Sequence, residues 1–137
     1  MPSSYSIHEI EGIGPLLAEK LRKAGVRTTA RLLTRAKTAA GRKKLADMCG
    51  VPPTTVLKWA GMADLMRVKG VAVEYGELLT SVGVTTVREL MHRHPGRLTK
   101  ALAESNKRRP VVDFLPSEKI VTRWIAHAKT LPSHIQH

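Results

Sequence analysis

The sequence predicts an all-α protein built from two similar multi-helix halves that pack on a shared core. The first supporting observation is a repeat: the segment from Ile10 to Arg35 returns 58 residues later, with eight identities in 26 ungapped positions. Such self-similarity indicates an internal duplication. The second is that apolar residues recur at helical spacing, with few of the alternating runs typical of strands. The third is that glycines and prolines divide the chain into segments of helical length.

Composition favours a polyanionic partner. Lys and Arg outnumber Asp and Glu by 23 to 11, which gives a net charge of +12, and such an excess attracts phosphate groups. Residues 1–69 carry +8 and residues 70–137 carry +4, so the charge is weighted to the first half. Because only 4% of residues are aromatic, Leu, Val, Ala and Met are expected to form most of the core.

The single cysteine and the start of the chain bear on location. Cys49 has no partner for an internal disulfide, which favours a reducing compartment. Residues 1–4 lack the basic and apolar regions of a signal peptide, and no stretch approaches 18 apolar residues. We therefore expect a soluble cytoplasmic protein without a membrane partner, associated with the nucleoid if it is bacterial.

The first half is expected to hold five helices. Ser6 and Glu9 form a capping-box pattern before a short helix. A turn at Gly12-Ile13-Gly14 follows, and Pro15 suits the first position of the next helix, which would end at Gly25. The remaining helices of this half are expected at 28–36, at 42–48 and from 52 or 53 onward. Thr28 is expected to cap the first of these, and Thr86 is its equivalent in the second half.

The second half is expected to repeat this order. Asp64 has the character of a helix N-cap, and Asn106–Pro110 has that of a basic loop. Helices are expected at 73–82, 86–94, 98–105 and 117–130. These assignments divide the chain into a first repeat at 1–62, a second repeat at 63–131 and a frayed tail at 132–137.

The first turn carries a recognisable motif. Its glycines and apolar residues resemble the helix-hairpin-helix family, through Ile10, Gly12, Ile13, Gly14, Ala18 and Leu21. In such a turn, glycines adopt conformations that are costly with a Cβ, and they let a phosphate approach main-chain N–H groups. These groups lie at a helix start, where the helix dipole favours an anion. The resemblance implies that Gly12, Gly14 and the amides beside Pro15 contact the duplex backbone across the minor groove, while Ile13 anchors the hairpin in the core.

The second turn departs from the motif. Ala72 replaces the second glycine, Val73 replaces the proline, and Glu74 and Glu77 bring negative charge. A mainly structural role is therefore expected for this hairpin, and its 58-residue separation from the first is wider than in compact two-hairpin DNA domains. Its weaker candidate contacts are Lys69, Gly70 and Ala72.

A series of basic residues follows the first turn at steps of three or four: Lys20, Lys23, Arg27, Arg31 and Arg35. Arg31 stands near an expected helix start, where a cation costs a few tenths of a kcal/mol; the second half has Glu89 there. We interpret the series as a stripe that follows DNA phosphates, with Arg42, Lys43 and Lys44 as its extension. A plain solvated face is the alternative.

Two other interpretations of the sequence compete with this one. Residues 45–59 also resemble a helix-turn-helix that would present Thr54, Thr55 and Lys58 to the major groove, although two prolines precede this helix and it lacks side chains that read bases bidentately. The histidines His92 and His94 lack further ligands at metal spacing. No nucleophile–base pair or phosphate-binding loop emerges, so no enzyme, cofactor, metal or small-molecule substrate is expected.

The whole length resembles a bacterial family of small uncharacterised proteins built from duplicated helix-hairpin-helix units. The marks of this resemblance include a Gly-Val-x-Thr turn in each half and a tryptophan in each last helix. The leading hypothesis is a non-enzymatic, sequence-tolerant protein that binds double-stranded DNA. The alternative is a helical interaction module whose basic face binds an acidic protein partner.

Overall fold

The computed structural model describes residues 4–137 and confirms the all-α prediction. Over that range, a short 3-10 helix (Ile7–Glu9) precedes the α-helices. Within the same range, the one β-type pairing is an isolated antiparallel bridge between Ser6 and Thr28. The α-helices are α1 (Pro15–Lys23), α2 (Thr29–Arg35), α3 (Ala39–Cys49), α4 (Pro53–Leu65), α5 (Val73–Ser81), α6 (Val87–Met91), α7 (Pro95–Arg108) and α8 (Glu118–Ala128).

The chain divides into two units. The first comprises the residues up to Asp64 together with His134–His137, and the second comprises Leu65–Ser133. The first unit has eleven basic and five acidic residues and the second has twelve and six, so each carries +6. The charge difference seen in the sequence therefore depends on dividing the chain after residue 69.

The repeat seen in the sequence is also a repeat of backbone conformation. Gly12 and Gly70 both have φ +91°, and Gly25 and Gly83 both have φ +87°. Side-chain-bearing residues rarely adopt such angles, because their Cβ meets the backbone. The turns that follow α1 and α5 are closed by equivalent hydrogen bonds. Val26 N–H donates to Leu21 O at 2.8 Å, and Val84 N–H donates to Leu79 O at 3.0 Å.

The helix starts confirm some of the expected caps and contradict others. Thr28 Oγ1 accepts from Arg31 N–H at 3.2 Å, and Thr86 Oγ1 accepts from Glu89 N–H at the same distance. Ser6 holds the expected N-cap position of the 3-10 helix, but its side chain forms no bond to a backbone N–H of that helix. Ser6 Oγ is instead hydrogen-bonded to His8 Nδ1 at 2.7 Å.

The helix boundaries differ from expectation at two places. Asp64 lies inside α4 and is 2% exposed, so it is not the N-cap predicted from its residue type. Its neighbours in α4, Ala63 and Leu65, are buried as well. Asn106 lies inside α7, which continues to Arg108 and takes up most of the expected basic loop.

Each unit buries its own large apolar side chains. In the first unit, Leu21, Leu32, Leu45 and Val56 are almost fully buried. In the second, one apolar cluster includes Leu65, Val68, Val71, Leu78, Leu79, Val84, Leu90, Leu98, Leu102, Val121 and Trp124. All of these members belong to the second unit.

The segment after Ser133 is held by the first unit, in contrast to the fraying expected for it. Ile135 is 8% exposed. Gln136 N–H donates to Lys37 O at 2.8 Å, and Arg42 Nη2 donates to Gln136 O at 2.7 Å. These bonds explain why the segment groups with residues far away in sequence.

Candidate nucleic-acid interface

The first hairpin turn is fixed by Gly12 and Ile13. Gly12 supplies the positive φ, and a Cβ at this position would lie 3.8 Å from Trp59 Nε1 of α4. Ile13 is 3% exposed and its N–H donates to Ile10 O at 3.1 Å. Ile13 therefore anchors the turn, as expected, and its amide is already used within the protein.

The start of α1 leaves amide groups without an intrahelical partner. Gly14 is the N-cap and offers no side-chain cap, and Pro15 at the first position has no N–H. The first helical bond runs from Ala18 N–H to Gly14 O at 2.9 Å, so the N–H groups of Leu16 and Leu17 precede it. The first turn of α1 carries no acidic residue. An anion is therefore favoured at this helix end.

Gly14 is not required by backbone strain. Its φ of −77° and ψ of −179° are extended backbone, and Ala72 has nearly the same angles at the equivalent position. The prediction that glycine is needed for its backbone angles is thus right for Gly12 and wrong for Gly14. A Cβ built on Gly14 meets nothing within 4 Å, so the missing side chain leaves open space beside the start of α1.

The second hairpin has the same backbone and a different chemical character. Its helix, α5, carries the exposed Glu74 in the first turn, where a carboxylate competes with an incoming phosphate. The N–H of Lys69, just before Gly70, donates to His127 Nδ1 at 2.9 Å. Sequence reasoning missed His127, because this histidine lies 58 residues away on α8 and no local pattern marks it.

Four members of the basic stripe are exposed: Lys20, Lys23, Arg27 and Arg31. Lys23 Nζ lies 3.5 Å from Glu19 Oε1, and both side chains are mostly exposed. Such a surface pair contributes about 0–1 kcal/mol and is screened by salt, so it leaves Lys23 available to a phosphate.

Lys20 also acts on the buried thiol of Cys49 in α3. Burial raises the pKa of Cys49, and the positive charge of Lys20 partly opposes this by lowering it.

Two predicted stripe residues have structural partners instead. Arg35 is half-buried and its Nη1 donates to Ala24 O at 2.8 Å. Arg42 is 5% exposed and donates to the carbonyls of Ala36, Lys37 and Gln136. Arg42 therefore does not lie on the expected surface. Its neighbours Lys43 and Lys44 are exposed on α3.

The competing helix-turn-helix segment does form two helices around a glycine. Gly50 ends α3 with φ +71°, and α4 begins at Pro53. Thr54 and Lys58 are exposed, and Thr55 is half-buried. A role of this segment in reading bases stays a prediction.

Of the two histidines His92 and His94, the second has a structural role. His94 Nδ1 accepts from Arg97 N–H at 3.2 Å and thereby caps α7. Among residues 4–137, no three His, Cys, Asp or Glu side chains are grouped as a metal site. Within the same residues, no helix combines the length and apolar character that a membrane span needs.

These features define an all-α chain with a duplicated glycine hairpin, one copy open and basic and the other carrying an acidic residue at its helix start. The chain belongs to the family described as Domain of unknown function (DUF4332), which matches residues 11–131. That match extends over both hairpins. No curated protein matches the chain. No solved structure matches it either.

Proposed function

We propose that this chain is a non-enzymatic, sequence-tolerant protein that binds double-stranded DNA by its phosphate backbone. The observation that carries the proposal is the uncapped start of α1 beside Gly14, where nothing within 4 Å would meet a Cβ. A phosphate oxygen placed there can accept from the amides of Leu16 and Leu17 while the helix dipole stabilises its charge.

The exposed cations of the first unit supply the remaining attraction. Lys20 and Lys23 lie on α1, Arg27 lies between α1 and α2, and Arg31 lies on α2. Lys43 and Lys44 lie on α3. Arg35 and Arg42 are left out of the proposed interface, because both guanidinium groups are bonded to carbonyls. Contacts of this kind neutralise phosphates without distinguishing bases.

The proposal includes three finer points. The two turns are assigned to the helix-hairpin-helix superfamily, with the second serving structure. The chain is assigned a bacterial source and a cytoplasmic, nucleoid-associated location. Duplex DNA is the natural partner because the net charge of +12 favours a dense polyanion.

A second candidate function is a helical module that binds an acidic protein. It is favoured by Leu16, which is 69% exposed beside the open helix start. An acidic peptide could place a carboxylate on the amides and an apolar side chain on Leu16. Free duplex DNA would not compete with such a partner.

The first test is fluorescence anisotropy of a labelled random duplex at several salt concentrations. We expect the logarithm of the binding constant to fall linearly with the logarithm of the salt concentration. The expected slope is about −3 to −5, for three to five neutralised phosphates. Absence of binding at about 50 mM salt, where electrostatic contacts are strong, would reject the DNA proposal.

A matched pair of variants tests the hairpin itself. Gly14→Asp places a preferred N-cap residue on α1, so the helix should remain stable while its amides become occupied. We expect the affinity for duplex DNA to fall by about tenfold or more, because charge-assisted hydrogen bonds are lost. Gly14→Asn also caps the amides but adds no charge, so comparing the DNA affinities of the two variants separates occupation of the amides from charge repulsion. Ala72→Asp makes the same change on α5 and should leave affinity within about twofold, since that hairpin is assigned a structural role.

A further inference from the structure

The only phenylalanine of the chain is displayed on the surface of the second unit. Phe114 is 81% exposed, whereas Trp59 and Trp124 are each 3% exposed. Leu115 and Ile120 are also exposed, at 49% and 41%. Three of the five large apolar side chains exposed within residues 4–137 thus fall in a stretch of seven residues. A protein with few aromatic residues forgoes a sizeable burial free energy here.

The loop between α7 and α8, residues 109–117, is held just before Phe114 and at Phe114 itself. Asn106 Oδ1 accepts from Val111 N–H at 2.7 Å and from Val112 N–H at 3.0 Å, and its Nδ2 donates to Val112 O at 3.0 Å. Tyr75 Oη donates to Phe114 O at 2.9 Å. The backbone is therefore fixed by side chains of α5 and α7 while the ring of Phe114 faces solvent.

Positive charge flanks this loop at both ends. Lys107, Arg108 and Arg109 are exposed where α7 ends, and Lys119 and Arg123 are exposed on the first turns of α8. Arg109 and Lys119 are each five residues from Phe114, at most about 18 Å of extended chain. Asp113 and Glu118 are the acidic residues in the stretch 107–123, so the cations exceed them by five to two.

We propose that the 109–117 loop is a stacking site for an unpaired nucleobase of single-stranded nucleic acid, with Phe114 as the platform. Single-strand-binding proteins combine an aromatic side chain, on which a base stacks, with cations that follow the backbone. The second unit supplies both features on one loop and the helix ends beside it. The site consists of residues of the second unit alone, so it shares no residue with the first hairpin.

The size and charge of the surface favour a base over other occupants. Its three apolar side chains are far fewer than the roughly 20–30 residues that each partner gives to a stable protein interface. One exposed aromatic ring suits the face of one base. Asp113, directly before Phe114, disfavours insertion among anionic lipids, whereas a carboxylate can accept a hydrogen bond from an N–H group on the Watson–Crick edge of an unpaired base.

The proposal is tested with the full chain and a labelled oligo(dT) strand of about 20 nucleotides, longer than the site of one small domain. We expect Phe114→Ala to weaken binding about fivefold or more, because stacking on one aromatic ring is lost. Phe114→Leu keeps an apolar side chain without a ring and should weaken binding similarly. Phe114→Trp should retain affinity, and its new exposed indole should be quenched when the strand binds.

The controls separate this site from the first hairpin and from other partners. Gly14→Asp should spare oligo(dT) affinity, and Phe114→Ala should spare duplex affinity, so each proposal can fail without the other. Full oligo(dT) affinity in Phe114→Ala or Phe114→Leu would overturn the stacking site. It would also be overturned if Phe114→Ala lost binding to phosphatidylserine vesicles while keeping oligo(dT) binding, since the loop would then contact lipid.

Discussion

The guanidinium group of Arg35 donates a 2.8 Å hydrogen bond to the carbonyl oxygen of Ala24, at the end of α1. The duplicated residue Arg93 makes the same contact with Val82 O at 3.3 Å. In both units the arginine thus reaches back eleven residues to the C-terminal end of the helix before it, which is α1 for Arg35 and α5 for Arg93. A cation at a helix C-terminus also interacts favourably with the helix dipole.

This contact predicts different roles for two arginines of the expected stripe. Arg35→Ala should lower the free energy of unfolding by about 1–2 kcal/mol, because a half-buried hydrogen bond from a charged group is lost. Arg31→Ala should change stability by less than about 0.5 kcal/mol, as expected for an exposed side chain. Arg31→Ala should instead reduce the salt slope of duplex binding by about one. Urea unfolding measures the stability of each variant, and anisotropy measures its salt slope. A reduced slope with unchanged stability for Arg35→Ala would place Arg35 in the interface.

The glycines of the hairpins predict a graded series of stabilities. Gly12→Ala should destabilise the protein by about 1–2 kcal/mol, because alanine is strained at φ +91°. Gly70→Ala should cost more, since its Cβ would also lie 3.2 Å from Trp124 Nε1. Gly14→Ala, at an extended and open position, should change stability by less than about 0.5 kcal/mol. Urea unfolding of the three variants gives the order, and a loss at Gly14 equal to that at Gly12 would contradict the geometry.

The segment after Ser133 predicts a measurable contribution to the first unit. Truncation after Ser133 removes the buried Ile135 and leaves Arg42 without the carbonyl of Gln136. We expect the unfolding free energy of that unit to fall by about 2–4 kcal/mol, from lost apolar burial and hydrogen bonds. Removal of His137 alone is the control and should have little effect, since this residue is exposed. Equal thermal stability of the two truncations would show that the segment does not hold the unit.

The buried thiol predicts a pH dependence of stability. Burial raises the pKa of Cys49 above its ordinary value of about 8.5. The folded state therefore retains the proton when the unfolded state loses it, so stability is full below about pH 8.5 and falls as pH rises through the folded pKa. The component from this thiol has a slope of up to about 1.4 kcal/mol per pH unit. Cys49→Ala should lack it, and parallel pH profiles of the two proteins between about pH 8 and 10 would contradict the assignment.

Much of the fold followed from local residue patterns. The glycines at positive φ and the Thr28 and Thr86 caps follow from residue type and repeat position. Ser6 takes the expected N-cap position without a side-chain cap, whereas the Asp64 cap is wrong. Ser6 Oγ bonds to His8, and Asp64 lies inside α4. Residue type alone reveals neither outcome.

The candidate site was only partly visible in the sequence. The turn and the exposed cations were predictable, because both depend on residue type and helical spacing. The roles of Arg42 and His127 were not predictable. Arg42 bonds to Gln136, 94 residues away, and His127 bonds to Lys69, 58 residues away. Gly14 shows the limit in the other direction. Its backbone angles are close to those of Ala72, and what it lacks is a Cβ in the open space beside the start of α1.

The bond between Arg42 and Gln136 has a consequence for the order in which the molecule is completed on the ribosome. When Arg42 emerges, its third acceptor is still 94 residues from being synthesised. At about 5–20 residues per second, this interval lasts roughly 5–20 s. The whole of the second unit is made within it. Until Gln136 is made, only two of the three carbonyl acceptors of Arg42 exist. The first unit therefore begins synthesis before the second unit but gains its last residues after it.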